Sequence, residues 1–300
     1  MGKAMNDAAV GVPDGDLAAG AIAGSGAQAV ERALSLLSAV GRGAERGVTL
    51  SEAVSESRLN KPTARRLLMA LIRARMVDQD EVSRRYFLGG ELYVLGLLAA
   101  RRHGLLEIAG ESLRRLSAVT TDTSFLSMRR DDYAVCLHRE EGTHPVRTHA
   151  LLQGDQNPLG VGAGSLAMLS ALPDGEVEAI IERIVEPMAT RYPGYSQAII
   201  RADIARTRET GFALNPGRVL ASSWGIGMAL RFPDGRVAGA LSIAAIDSRM
   251  TRDRQPELAA LLGEEVRRME AKLARLFRDG RPAPRAPRIT LPDTKSHSAA

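Results

Sequence analysis

Apolar residues at Val30, Ala33, Leu34, Leu37 and Val40 recur every three or four positions and predict one helical face, which Gly41 and Gly43 end. Thr49-Leu50-Ser51-Glu52 then has the form of a capping box, with Thr and Glu three apart ahead of Ala53 and Val54. The short helix it opens ends near Ser57-Arg58. After a turn through Leu59, Asn60 suits a helix cap and Pro62 a first helical turn, where its missing N–H costs nothing. This third helix is predicted to run to about Ala74, with Ala64, Leu67, Leu68, Leu71 and Ile72 facing inward. Val77-Asp78-Gln79 and Arg85-Tyr86-Phe87-Leu88 flank a polar turn and predict two short strands. Helix, helix, turn, helix, hairpin is the order of a winged helix-turn-helix domain, placed at residues 28–89.

Gly89-Gly90 breaks the pattern. Leu92 to Ala100 is apolar on every side and helical in length, so it needs cover all round. At the edge of a small domain that cover comes from another subunit, and residues 90–104 are expected to form a linker and dimerisation helix. From 105 to 278 the pattern is α+β. A helix carries Leu105, Leu106, Ile108, Ala109, Leu113 and Leu116, and strands follow at Thr123–Met128 and Tyr133–Arg139. Helices are predicted at 164–172, 175–186 and 197–210. A hairpin turns at Pro233-Asp234-Gly235 between Gly227–Phe232 and Val237–Ala245, and a last helix spans about 254–277. Strands and helices without strict alternation predict a sheet flanked by helices. Residues 1–27, rich in Ala and Gly, are expected to be a flexible extension. The proline- and arginine-rich residues 279–300 are expected to be a disordered basic tail.

Composition narrows the function classes. A chain of 300 residues that is 45% hydrophobic and 25% charged folds, and it contains no apolar run long enough to span a bilayer. With one cysteine and no secretory signal, the expected compartment is the cytoplasm. Between Arg58 and Arg85 lie Arg58, Lys61, Arg65, Arg66, Arg73, Arg75, Arg84 and Arg85 against Asp78, Asp80 and Glu81. That net +5 equals the charge of the whole chain. Pro62, Arg65, Arg66, Met69 and Arg73 fall opposite the apolar face of the third helix, where a major groove could receive them. Arginine presents two parallel donors to guanine, and Lys61 and Thr63 suit phosphates or base edges. Arg84 and Arg85, on the hairpin, are expected to reach the flanking DNA backbone.

Three groups of residues carry a likeness to known proteins. They are Gln28-Ala29-Val30-Glu31-Arg32-Ala33-Leu34, Leu59-Asn60-Lys61-Pro62-Thr63-Ala64-Arg65-Arg66-Leu67-Leu68 and Tyr86-Phe87-Leu88-Gly89. The second half adds Asn157-Pro158-Leu159-Gly160-Val161-Gly162-Ala163-Gly164, Gly211-Phe212-Ala213 and Gly239 to Ala245. Over about residues 27–278 the chain resembles the IclR family of bacterial transcriptional regulators. The resemblance implies a winged helix, a dimerising linker and a GAF-like C-terminal domain that binds a small effector. It further implies a dimer or tetramer that binds an operator duplex and represses or activates catabolic genes. Carried over by position, it marks Gly162, Ala163, Ser242 and Ala244 as lining the effector site. Gly164 and Ser165 extend the same loop, and Trp224 and Gly225 lie just before a partner strand. The chain departs from the family at Ser165, where many members have lysine, and at Asn215-Pro216-Gly217, where an acidic pair is common.

The residues themselves point the same way. Glycines allow close backbone approach, and a helix opening near Ser165 would present N–H groups to an anion, so a small carboxylate suits the loop. Gly162 to Ala167 also fits a G-x-G-x-x-A dinucleotide fingerprint, but no βαβ unit surrounds it. Gly164-Ser165 is not a nucleophile elbow. Cys136, His138, His144 and His149 are near in sequence but have no finger spacing, with Cys136 and His138 expected on one strand face. No catalytic set, metal site or cofactor is expected. The rival readings are an enzyme with a fused regulatory domain, and a protein-interaction module whose winged helix does not bind DNA.

Overall fold

Thr49 begins the second helix as its spacing demands. Its side chain accepts from the Glu52 N–H at 3.2 Å while Glu52 accepts from the Thr49 N–H at 2.7 Å. A computed structural model describes residues 19–103, 105–147 and 151–278, in two compact units that divide after Gly96. In the first unit α1 is Ala19–Arg42, α2 Leu50–Ser57, α3 Lys61–Arg73, β1 Val77–Gln79 and β2 Tyr86–Leu88. α1 reaches back to Ala19, into the segment expected to be a flexible extension; the alanines interspersed there are the best helix formers. Residues 1–18 and the expected C-terminal tail lie outside the described residues.

Arg58, in the left-handed region at φ 54°, ends α2. Asn60 then caps α3 by accepting the Thr63 N–H at 2.9 Å. Leu36, Val40, Ala53, Ala64 and Leu68 are buried where these helices meet. Val48 pairs with Tyr86 through two backbone bonds of 2.9 and 2.8 Å, which ties the β1–β2 wing to the chain between α1 and α2. A fourth helix, α4, is Gly90–His103, and Tyr93, Val94, Leu97 and Leu98 on it are exposed.

The second unit contains α5 (Leu105–Thr120), β3 (Thr123–Arg130), β4 (Tyr133–Glu140), β5 (Gln156–Pro158), α6 (Ala163–Ser170), α7 (Asp174–Arg191) and α8 (Gln197–Thr210). It continues with β6 (Ala213–Pro216), β7 (Ser223–Arg231), β8 (Val237–Ile246) and α9 (Arg254–Arg278). The strands form one antiparallel sheet in the order β5-β4-β3-β8-β7-β6. Alternation along each strand divides the core. Leu126, Ile226, Leu241 and Ile243 pack with α5 and α9 on one face, through Leu113, Leu262 and Met269. On the other face Ala213 and Ala240 pack with α6, α7 and α8 through Leu166, Met168, Ile180 and Ile200.

β5 and β6 are absent from the sequence expectation. Both are edge strands of three or four residues ending in proline, Pro158 and Pro216, and proline in so short a run reads as a turn. A second difference lies in β4. Ser127 pairs with Cys136 but Leu126 pairs with His138, so Leu137 is an extra residue in a bulge. The bulge sends Cys136 and His138 to opposite faces of the sheet, where the simple alternation expected of the sequence placed them on one.

Candidate functional site: an exposed cationic helix and a cavity under the sheet

Burial of Ala64 and Leu68 sets the roll of α3 and leaves Lys61, Pro62, Arg65, Arg66, Met69 and Arg73 exposed along its outer side. Thr63 is half-buried, its N–H held by Asn60. Among the described residues no carboxylate pairs with Lys61, Arg65, Arg66, Arg73 or Arg84. Most arginines of the second unit are paired, as in Arg183–Asp132 and Arg201–Glu178, both at 2.6 Å. Those five cations stand together on one helix and its wing with no carboxylate beside them among the described residues, a charge pattern that suits a polyanion.

The two wing arginines separate. Arg84, at φ 58° in the β1–β2 turn, is exposed. Arg85, between that turn and β2, turns inward. It donates to the Gly47 carbonyl at 3.1 Å and to Glu52 at 3.4 Å, so its guanidinium fastens the wing to α2 instead of reaching outward as expected. Glu52 also binds Arg46 at 2.8 Å. The Thr49 N–H, followed by Arg46, holds the Glu52 carboxyl down at about 2, so the carboxylate survives through all ordinary pH.

In the second unit the face of the sheet toward α6 is built from small residues, and a cavity of about 50 Å³ remains there, room for a few waters. Gly162, Ala163, Gly164, Ser165, Trp224, Gly225, Ser242 and Ala244 all line it. Gly162, at φ 86°, precedes α6, and no side chain caps that helix. Its first N–H groups therefore lack the partner that a capping side chain would supply. Gly227 explains how the helix start comes so near the sheet. A Cβ there would lie 2.9 Å from the Ala163 backbone, closer than atoms pack. Ser165 lines the wall but spends its hydroxyl on the Pro158 carbonyl at 2.8 Å.

The lining also includes Phe125, Ser127, Cys136, Asn157, Asn215 and Val219, which sequence reasoning did not place there. Around them runs a polar network. Tyr195 Oη accepts the Gly162 N–H at 2.9 Å and donates to Asn215 at 3.0 Å, while Tyr192 Oη donates to Asn157 at 2.7 Å. The Arg218 guanidinium pairs with buried Asp203 and lies 5.9 Å from the Tyr195 ring centre. Only the break in the expected pattern at Asn215-Pro216-Gly217 signalled any of this in the sequence. Among the described residues the lining contains no Asp, Glu, Lys, Arg or His.

Cys136 is buried against this cavity. Burial above all, aided by the charge of Asp155, pushes its thiol up to about 12. Its Sγ donates to the His138 carbonyl at 3.6 Å, whereas the His138 ring faces Glu140 at 3.2 Å and His144 bonds the Val146 carbonyl at 2.8 Å. These groups do not converge, and His149 lies outside the described residues. At pH 8 Ellman's reagent is expected to modify native Cys136 on the order of 1000-fold more slowly than the denatured chain, because so little thiolate forms. A native rate within about ten-fold of the denatured one would show that the cavity wall stands open.

Comparison with known proteins matches both halves of the chain. Residues 29–81 match the IclR helix-turn-helix domain, and residues 97–271 match the bacterial transcriptional regulator IclR C-terminal domain. The HTH-type transcriptional repressor AllR of Escherichia coli is 27% identical over 256 residues, 84% of this chain and 92% of that protein. The HTH-type transcriptional regulator KipR of Bacillus subtilis is 26% identical over 226 residues, 75% of this chain and 90% of its own length. A putative IclR regulator from Silicibacter superposes with a TM-score of 0.73 at 28% identity, covering 82% of this chain and 96% of its own. An IclR homologue from Microbacterium hydrocarbonoxydans, solved in complex with 4-hydroxybenzoate, shares the fold at a TM-score of 0.68 and 18% identity, over 82% of this chain and 98% of its own. With a cation-bearing winged helix ahead of a sheet domain that encloses a cavity, and both domains matched along most of its length, the chain belongs to the IclR family of bacterial transcriptional regulators.

Proposed function

We propose that this DNA-binding regulator works as a homo-oligomer that controls catabolic genes in response to a small organic acid or aromatic metabolite. Two copies of α3 read the half-sites of a pseudo-palindromic operator. Lys61, Thr63, Arg65 and Arg66 face the major groove and Arg84 the flanking backbone; Arg85 supports the wing from inside. The observation that carries this reading is the row of unpaired cations on the exposed side of a capped helix. The exposed apolar residues of α4 support self-association, since so large an apolar surface is rarely left bare. The cavity lined by Gly162, Ala163, Gly164, Ser165, Trp224, Gly225, Ser242 and Ala244 holds the effector. The chain performs no chemistry of its own and acts in the cytoplasm; no helix among the described residues is long and apolar enough to cross a membrane. An effector changes operator affinity by binding one arrangement of the oligomer more tightly than another.

Fluorescence anisotropy on the duplex just upstream of the chain's own coding region, against an unrelated duplex, tests the reading. Specific binding near 10 nM at physiological salt is expected, with affinity falling steeply as salt rises. Equal, salt-labile affinity for both duplexes would reduce α3 to a polyelectrolyte surface.

A further inference from the structure

Three residues of the first unit hold a backbone conformation that glycine ordinarily fills. Arg58 at φ 54°, Arg75 at φ 55° and Arg84 at φ 58° lie in the left-handed region, and among the described residues they are the only non-glycine residues of that unit to do so. All three are arginine. In the second unit the corresponding residues are Thr121, Asp131 and Ser222, none of them cationic. Each arginine closes a turn. Arg58 ends α2 two residues before the Asn60 cap. Arg75 follows α3: its N–H donates to the Ile72 carbonyl at 2.9 Å and the Met76 N–H to the Leu71 carbonyl at 2.9 Å, the paired bonds of a helix end whose left-handed position is usually glycine. Arg84 closes the wing turn, its N–H donating to the Asp80 carbonyl at 3.0 Å.

A Cβ in this region crowds the following carbonyl, so a side chain there lowers folding stability unless a contact offsets the strain. Among the described residues no such contact exists: the three side chains are exposed, and none is hydrogen-bonded or ion-paired. Strain without an internal compensation points to a partner outside the chain. A guanidinium offers paired donors that match a phosphate. The three turns also surround the helix that carries Lys61, Arg65 and Arg66. Arg58 precedes Lys61 by three positions, Arg75 follows Arg73 by two, and Arg84 stands on the wing. With 13 residues α3 is about 20 Å long, against a major groove about 12 Å wide. Seated across the groove, it brings its two ends to opposite phosphate walls.

We infer that Arg58 and Arg75 are phosphate contacts, one at each end of α3, and that with Arg84 they form a clamp whose strained backbone is compensated only in the DNA complex. The inference rests on the reading that α3 enters the major groove, and adds to it two residues outside the helix. Contacts to phosphate carry no base information, so these arginines supply affinity and fix the position of the helix while Arg65 and Arg66 discriminate. Folding and binding are thereby opposed at these turns: glycine at either position relieves the backbone and weakens the complex.

Anisotropy titrations of the full chain over a range of salt, on the duplex upstream of its own coding region and on an unrelated duplex, test this beside thermal melting. Arg58→Gly and Arg75→Gly should each weaken both duplexes alike, roughly three- to ten-fold, and lower the salt slope by about one per bound protomer. The double variant should lower it by about two. Melting temperatures of the glycine variants should equal or exceed that of the wild type, since glycine takes this conformation without a Cβ contact. Arg58→Lys and Arg75→Lys, which keep the charge, should keep the slope. An unchanged slope in the double variant, or a slope lost equally in the lysine variants, overturns the inference. So does a melting temperature lowered by more than about 3 °C in the glycine variants, which would make the arginines structural. The reading of α3 fails separately. Wild-type affinity in Arg65→Ala and Arg66→Ala removes the helix from the groove, and the clamp with it. Weakened specific binding in those two, beside glycine variants that bind as the wild type does, overturns only the turn contacts.

Discussion

Replacing Arg65 or Arg66 by alanine is expected to weaken binding to the specific duplex by about 1–3 kcal/mol, roughly 5- to 150-fold, wherever the arginine reads a base. Neither side chain bonds anything within the described residues, so folding should be unaffected and the whole effect should appear in DNA affinity. Arg84→Ala should instead weaken all duplexes alike and lower the salt slope by about one, as a phosphate contact does. Arg85→Ala provides the internal contrast. Its guanidinium is held by Gly47 and Glu52, so its loss should loosen the wing and lower thermal stability without lowering the salt slope. Anisotropy titrations at several salt concentrations separate these outcomes. Wild-type affinity in both Arg65→Ala and Arg66→Ala would take α3 out of the interface.

Asp122→Ala is expected to give the largest loss of stability. The carboxylate is 2% exposed and binds two arginines, Arg249 at 2.8 Å and Arg254 at 2.7 Å. Both arginines also donate to the Thr120 carbonyl, at 2.9 and 3.0 Å, so the cluster ties the α5–β3 turn to the start of α9. Thr121, in that turn, is held at φ 61°, an uncommon conformation for a non-glycine residue. Removing the single anion leaves two cations facing an empty space. Breaking a fully buried pair costs about 3–5 kcal/mol, and the partial exposure of the arginines places this case near the lower figure. For a domain of this size that is on the order of 10 °C in melting temperature. Differential scanning fluorimetry measures it, and a loss below about 1 kcal/mol would show that water replaces the carboxylate.

What could be read from the sequence alone is what short-range physics determines. The capping box at Thr49–Glu52, the Asn60 cap and the apolar period of α3 each act within a few residues. That is why the winged helix, and with it the exposed side of α3, is legible in the amino-acid order itself. The glycines at 160, 162 and 164 likewise announce a close backbone approach. Tertiary structure decided the rest. Arg85 turned inward because Gly47 and Glu52 meet it across the domain. The bulge at Leu137 shows itself only against the register of β3. β5 and β6 exist because a central sheet supplies them with partners, a contribution that outweighs their prolines. Asn215 acquired its direction from Tyr195, twenty residues upstream, and from the Arg218 N–H, while Asp122 found its arginines more than a hundred residues away. Helix caps and periods are local in the chain; the orientation of a buried amide or carboxylate is settled by groups that only folding brings within hydrogen-bond reach.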